Sequence, residues 1–218
     1  EFIALVQVLV YGGGVVILNA ESGETEILRA VSADPHSLSS DHAITLAYVA
    51  GAMWVGTNDS GLNRFLPEQG QFQHITKGVG LASDKVFGIL EDDRGHLWIS
   101  GSKGLSMLDP RTGQIAAYDS THGLQSNDFN SGAYLRLSDG SFLFGGNHGF
   151  NAFDPARIKG NTYVPPIVVT EFSKFNEPFS LPTPVYQSDG IELNYKDFVI
   201  GFEFSAMDFT APEKNRFR

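Results

Sequence analysis

The sequence repeats itself at a spacing of about 44 residues, and this spacing limits the possible folds more than any other feature. Residues 94–110 read RGHLWISGSKGLSMLDP and align without a gap with DGSFLFGGNHGFNAFDP at 139–155. A third copy, AGAMWVGTNDSGLNRFLP at 50–67, aligns once one extra loop residue is allowed, and a weaker copy, GVVILNAESG, lies at 14–23. A marker ahead of each strong copy also repeats, as LSSD at 38–41, LASD at 81–84 and LQSN at 124–127. The whole unit is therefore repeated, and not one hairpin alone.

Each unit predicts four short antiparallel strands. In the clearest unit, apolar runs at 86–91, 97–99, 105–108 and 114–118 are separated by turns rich in Gly, Asp and Pro. Four such strands in about 44 residues make one blade of a β-propeller. A parallel β-helix would repeat at a shorter spacing, and a helical solenoid would show a 3.6-residue period that these segments lack. The 24 glycines and 17 phenylalanines agree with an all-β fold of short strands and tight turns.

Counting units predicts a partial propeller over residues 1–163. The predicted parts are strands two to four of one blade up to about Val31, complete blades at about 42–76 and 85–119, and a last blade from about Asp128 without an evident outer strand. Propellers close with typically four to eight blades. We therefore expect further blades upstream of Glu1, with an N-terminal strand completing the blade that ends near Tyr163. The alternative is that two chains together complete one ring. This arrangement requires a heterologous fit at both open ends.

A second β domain is predicted after the propeller. Pro165 and Pro166 interrupt the repeat and lead into an extended segment from Ile167, so the boundary is placed near Tyr163. Residues 198–204 alternate apolar and other side chains as in a half-buried strand, which suits a β-sandwich. Residues 164–218 are thus predicted to hold a linker and the first strands of this sandwich.

Two segments resemble known families. EDDRGHLWISGSKGLSMLDP at 91–110 resembles the two-component regulator propeller repeat, and the likeness extends over roughly residues 10–158. IELNYKDFVIGFEFSAMDFTAPEKNRFR at 191–218 resembles the opening of the three-tyrosine (Y_Y_Y) domain, an Ig-like sandwich that follows such propellers, and most of it would lie beyond residue 218.

The resemblance implies a function as well as a fold. In that family the two domains form the periplasmic sensor of inner-membrane receptors, whose cytoplasmic part is a histidine kinase, often a hybrid one, or a diguanylate cyclase. Known ligands of the family are often oligosaccharides. The resemblance therefore implies an extracytoplasmic sensor that binds an oligosaccharide or another small polar ligand. Its other partners would be the rest of the propeller and the rest of the receptor chain. The full receptor is expected to be a homodimer.

Charge and composition exclude several other functions. The formal net charge of −10 opposes binding to nucleic acid, because neutralising phosphates requires clustered Lys and Arg. Without cysteine there is no disulfide, thiolate nucleophile or Cys-ligated metal site, and the six histidines show no metal-ligand spacing, so no cofactor or metal is expected. Glu91, Asp92 and Asp93 are interpreted as turn residues, and no nucleophile elbow is present. This portion is therefore predicted to be non-catalytic. A secreted propeller carbohydrate-binding protein or polysaccharide-degrading enzyme stays the alternative.

Most of the repeated residues have structural interpretations. Trp54 and Trp98 recur at one strand position and are predicted to fill the space between blades. Gly56, Gly101 and Gly146 are predicted where a strand bends, and the Asp or Asn of each marker is predicted to cap the turn into the next strand.

Residues that break the repeat are the better candidates for ligand binding. If the strands of each blade run from the axis outward, the segment before the first strand and the turn between the second and third strands share one face of the propeller. Polar side chains at these two places suit a hydroxyl-rich ligand. The predicted binding residues are His42, Asn58, Asp59, Lys85, Lys103, Asp128, Asn147 and His148.

Overall fold

The computed structural model describes residues 12–19, 22–158, 167–181, 183–188 and 190–206. The chain divides into two compact units, Glu1–Gly160 and Asn161–Arg218. The boundary predicted near Tyr163, with Pro165 and Pro166, lies outside the described residues. Among the described residues, none of the helices has the length and apolar character needed to cross a membrane. The helices are short 3-10 turns at Lys77–Val79, Ser120–His122, Pro155–Arg157 and Val185–Gln187.

The first unit consists of antiparallel sheets in which strands that follow each other in sequence are also neighbours in space. The first blade holds β1 (Val15–Leu18) and β2 (Thr25–Leu28). The second holds β3 (Ala43–Val49), β4 (Ala52–Thr57), β5 (Leu62–Leu66) and β6 (Gln71–Ile75). The third holds β7 (Val86–Glu91), β8 (Leu97–Gly101), β9 (Gly104–Leu108) and β10 (Ile115–Tyr118), and the fourth holds β11 (Phe129–Arg136), β12 (Phe142–Gly146) and β13 (Gly149–Phe153). The second and third blades are four-stranded antiparallel sheets, which confirms the predicted blade.

The first strands of the second, third and fourth blades are the inner ones. β3 and β11 both pack against β7, so the first strands of the second, third and fourth blades lie side by side. In the first blade, β1 follows Gly14 as β5 follows Gly61, which makes β1 and β2 its third and fourth strands. Residues 1–11, where an earlier strand of this blade was predicted, lie outside the described ones.

Apolar side chains fill the spaces between successive blades. Trp54 is 1% exposed and belongs to a cluster with Leu81 and Val86 of the third repeat unit. Trp98 is also buried and packs against Phe142 and Phe153 of the fourth blade. The predicted role of both tryptophans between blades is confirmed, and each acts at the boundary with the following blade.

Three glycines lie opposite irregularities of the inner strands. Gly56, Gly101 and Gly146 stand at or beside the register shifts at the beginning of β3, β7 and β11. A Cβ atom at Gly101 would collide with the carbonyl oxygen of Lys85, the residue just before the bulged inner strand. The bend predicted at these glycines therefore lies in the neighbouring strand, and the glycine leaves room for it.

The second unit contains a three-stranded antiparallel sheet with the order β15-β14-β16. Its strands are β14 (Ile167–Lys174), β15 (Glu177–Pro178) and β16 (Ile200–Ala206). The side chain of Phe172 is buried and its ring lies 5.2 Å from that of Phe202. β14 pairs with β16 in this sheet. These two strands correspond to the extended segment predicted from Ile167 and to the alternating strand predicted near 198–204. Residues 207–218, the end of the segment that resembles the three-tyrosine domain, lie outside the described ones.

Candidate ligand-binding face

The predicted binding residues lie along one edge of the blades. Ala43 pairs with Thr57, Val86 with Gly101 and Phe129 with Gly146, so the residue before each inner strand stands next to the turn between the second and third strands. We call this edge, with residues 42 and 58–59, 85 and 102–103, and 128 and 147–148, the mouth face.

In the second blade, the mouth face carries a His–Asp pair. His42 Nδ1 lies 2.8 Å from Asp59 Oδ2, and the amide of Asn58 donates to the carbonyl of His42 at 2.9 Å. Burial raises the pKa of the Asp59 carboxyl, but hydrogen bonds from His42 and from the hydroxyls of Ser40 and Ser60 outweigh it and hold the pKa below its ordinary value. Asp59 therefore stays a carboxylate acceptor at neutral pH while nearly half of its side chain is exposed.

The fourth blade has a corresponding polar pair. The Asn147 side-chain amide donates to Asp128 Oδ2 at 2.9 Å, and the Asn147 backbone amide donates to the Asp128 carbonyl at 3.3 Å. The amide of His148 donates to Gln125 Oε1, which fixes the backbone of this turn and leaves the exposed His148 side chain at its tip. The turn therefore presents donors and acceptors from a defined backbone.

The third blade contributes two cations. Lys85 and Lys103 are exposed, and within the described part of the chain neither ammonium forms an ion pair. Their backbone segments are connected through serines, because Ser83 Oγ accepts from the Lys85 amide and lies 3.0 Å from Ser102 Oγ. The structure thus brings the predicted residues together as one polar set per blade.

The repeated markers hold the segments that carry these residues. The serine hydroxyl accepts from the amide two residues later, at Ser40 to His42, Ser83 to Lys85 and Ser126 to Asp128. The following Asp or Asn was expected to cap the turn into the next strand, and this was wrong. Its side chain instead accepts a hydrogen bond from a backbone amide near the end of the preceding blade. Asp41 accepts from the amide of Ala30, Asp84 from that of Lys77 and Asn127 from that of Ser120.

Beside the mouth face lie residues that the sequence analysis did not single out. Residues 130–132, just after Asp128, are exposed and interrupt the pairing of β11 with β12. A signal for them exists in the sequence, because 43 residues separate Leu81 from Leu124 but 45 separate Gly95 from Gly140. Two additional residues must therefore lie between Leu124 and Gly140.

The acidic turn of the third blade does not resemble a catalytic carboxylate pair. Asp92 Oδ1 accepts from the amides of Arg94 and His96, both at 2.9 Å, and Asp92 Oδ2 lies 3.1 Å from Trp98 Nε1. Burial raises the pKa of Asp92, but these hydrogen bonds outweigh it and keep the pKa below its ordinary value. The interpretation of Asp92 as a turn residue is confirmed. Across the described ranges, no group of three or more His, Asp or Glu side chains is arranged to hold a metal ion.

Comparison with known proteins identifies the repeat. Residues 80–103 match the family model described as two component regulator propeller, which confirms the resemblance seen at 91–110. In an alignment of 145 residues that covers 63% of this chain, the chain is 30% identical to the histidine kinase P4 of Formosa agariphila.

Two solved structures with a similar fold are extracellular domains. The extracellular domain of the putative hybrid two component system BT3049 from B. thetaiotaomicron aligns over 94% of the chain, with a TM-score of 0.62 and 23% identity. That of the putative hybrid two component system BT4673 from the same organism aligns over 91%, with a TM-score of 0.52 and 22% identity. The chain spans 28% and 26% of these two structures and 11% of the histidine kinase.

Proposed function

We propose that this chain, which carries the two-component regulator propeller repeat, is the extracytoplasmic ligand-sensing portion of a bacterial membrane receptor. The match of residues 80–103 to that repeat is the observation that carries the proposal. The likeness to extracellular domains of two component systems and to a histidine kinase supports it. In this proposal the portion is non-catalytic, resides in the periplasm as part of an inner-membrane receptor, and passes its signal to a histidine kinase or diguanylate cyclase elsewhere in a homodimeric receptor.

The proposed ligand is a small hydroxyl-rich molecule such as an oligosaccharide, bound at the mouth face. Each hydroxyl of a sugar can donate one hydrogen bond and accept others, so a sugar site needs both kinds of partner close together. Asp59 and Asp128 supply carboxylate acceptors, while Lys85, Lys103 and Asn147 supply donors. The remaining proposed contacts are His42, Asn58 and His148.

A thermal-shift screen of defined oligosaccharides against the complete extracellular region tests this proposal. We expect at least one oligosaccharide to raise Tm, because a ligand that binds only the native state stabilises it. Replacing Asp59 or Asp128 by Ala should then cost about 1–3 kcal/mol of binding free energy by titration calorimetry, while a cooperative thermal transition shows that the free variant still folds. Glu68→Ala, in the exposed β5–β6 turn at the opposite edge of the blade, is the control and should bind normally.

Three results would contradict the proposal. Folded Asp59→Ala and Asp128→Ala variants that bind like the wild type would show that the ligand lies elsewhere. Hydrolysis of an oligosaccharide by the purified protein would favour the secreted enzyme. A gene that encodes neither a transmembrane segment nor a kinase or cyclase domain would exclude the proposal that this chain belongs to a membrane receptor.

A further inference from the structure

We infer that the bulge of residues 130–133 in the inner strand of the fourth blade is a specificity-determining element that contacts the ligand at the mouth face. This inference rests on the proposed function and adds residues to its site. The bulge lies between two contacts of known register, Phe129 opposite Gly146 and Tyr134 opposite Phe144.

The bulge is larger than those of the other blades. In the second blade a single residue, Ile44, separates the paired residues Ala43 and Thr45, and in the third blade a single residue, Phe87, separates Val86 and Gly88. In the fourth blade four residues separate Phe129 from Tyr134, whereas Gly145 alone lies between their partners in β12. The fourth blade therefore has two residues more than the repeat requires at this place. Bulges beside functional sites commonly redirect side chains.

The chemistry of the bulge differs as well. Ile44 and Phe87 are half-buried apolar residues, and Phe87 packs into the cluster between the third and fourth blades. Asn130 and Ser131 are polar and exposed, and in the part of the chain that the structure describes neither side chain has a hydrogen-bond partner. Within the described part of the chain, these two side chains therefore add no hydrogen bond to the folded blade. An amide and a hydroxyl offer the mixed donors and acceptors that a sugar hydroxyl needs.

The position of the bulge places these groups beside the proposed contacts. Asn130 follows Asp128 by two residues, and Asp128 is held to Asn147 in the neighbouring turn by side-chain and backbone hydrogen bonds. Because β11 is an inner strand, the bulge also borders the propeller axis. A ligand at the mouth face would meet the bulge and the Asp128–Asn147 pair together.

The end of the bulge is firmly anchored. The Tyr134 ring crosses the face of Gly88, and its hydroxyl lies 3.0 Å from Thr45 Oγ1 in the second blade. One side chain thereby connects the inner strands of three blades. An anchored segment loses less conformational entropy on binding than a free loop, so the bulge is suited to select among ligands.

Titration calorimetry with the oligosaccharide that gives the largest thermal shift in the screen tests this inference on the complete extracellular region. The Asn130→Ala/Ser131→Ala double variant should bind about 10- to 100-fold more weakly, because two hydrogen bonds are lost. Deleting Ser131 and Gly132 gives the bulge the length found in the other blades and should reduce affinity at least as much. The Glu68→Ala/Gln69→Ala variant removes two exposed polar side chains at the opposite edge and should bind like the wild type.

The outcomes separate this inference from the proposed function. A double variant with wild-type Tm and affinity within about twofold of the wild type overturns the inference, whether or not the deletion variant folds. If Asp59→Ala and Asp128→Ala still weaken binding in that case, the mouth face stands and only the bulge is excluded. If no oligosaccharide binds the wild-type protein, the proposed ligand class fails and this inference fails with it.

Discussion

At the scale of single residues, Asp92 illustrates how an acidic turn residue stabilises a blade. The residue is 5% exposed, yet its carboxylate is satisfied by the amides of Arg94 and His96, the Trp98 indole and the His96 ring. A buried carboxylate with this number of partners is favourable only while it is ionised. Asp92 thereby connects the β7–β8 turn to the tryptophan that fills the space beside the fourth blade.

The first prediction concerns the substitution Asp92→Asn. We expect it to lower the free energy of unfolding at pH 7 by about 1–3 kcal/mol. If the Asn oxygen keeps the two backbone amides, the NH2 group takes the place of Asp92 Oδ2, and an NH2 group cannot accept from the Trp98 indole. The native pKa of Asp92 is lowered, so its stabilisation is present above the unfolded-state pKa and is lost as pH falls through the native pKa. The difference between wild type and variant should therefore shrink below about pH 4. Urea unfolding at several pH values measures it, and a difference independent of pH would contradict the assignment.

At the scale of strands, the contact between the inner strands depends on one glycine. A Cβ atom at Gly88 would collide with the Tyr134 ring, whereas the equivalent residue of the second blade, Thr45, has a side chain and is the partner of the Tyr134 hydroxyl. Gly88 therefore permits Tyr134 to cross the third blade and reach the second. Neither residue can change without affecting the other.

The second prediction is that Gly88→Ala destabilises the protein more than Tyr134→Phe. The alanine methyl group must displace a packed ring, which typically costs about 1–3 kcal/mol, whereas the phenylalanine removes only one hydrogen bond, worth about 0.5–1.5 kcal/mol. Chemical unfolding of both variants measures this difference. Combining Gly88→Ala with Tyr134→Ala should recover part of the loss, and strictly additive effects would show that the two residues do not interact.

At the scale of the whole propeller unit, the fourth blade exposes a face that the other blades bury. Leu62 and Leu105 occupy equivalent positions in β5 and β9, and they are 0% and 1% exposed because the following blade covers them. Their equivalent in β13, Phe150, is 67% exposed. It borders an apolar groove of about 250 Å³ that is also lined by Leu135 and Leu143. We propose that another blade of the same polypeptide covers this face, as was expected from the count of repeats.

The third prediction follows from this exposed face. The 218-residue chain by itself should self-associate, because an apolar blade face and unpaired strand edges would contact water. Phe150→Asp should raise the monomeric fraction measured by light scattering. The control variant Glu68→Ala, which changes an exposed residue of the second blade, should not raise it. A wild-type chain that is monomeric and melts cooperatively at a mesophilic temperature would contradict the proposed covering blade.

The sequence alone determined the blade architecture, the tryptophans between blades and the turn role of Asp92. These features follow from local rules, since strand alternation, turn residues and burial of apolar positions are set by neighbours close in the chain. The tertiary structure decided the His42–Asp59 pair, the backward connection of Asp84 to Lys77 and the crossing of Gly88 by Tyr134. Tyr134 and Thr45 are 89 residues apart, and their contact depends on how three sheets pack around an axis. A repeat pattern specifies each sheet, but only the packed sheets determine which side chains meet.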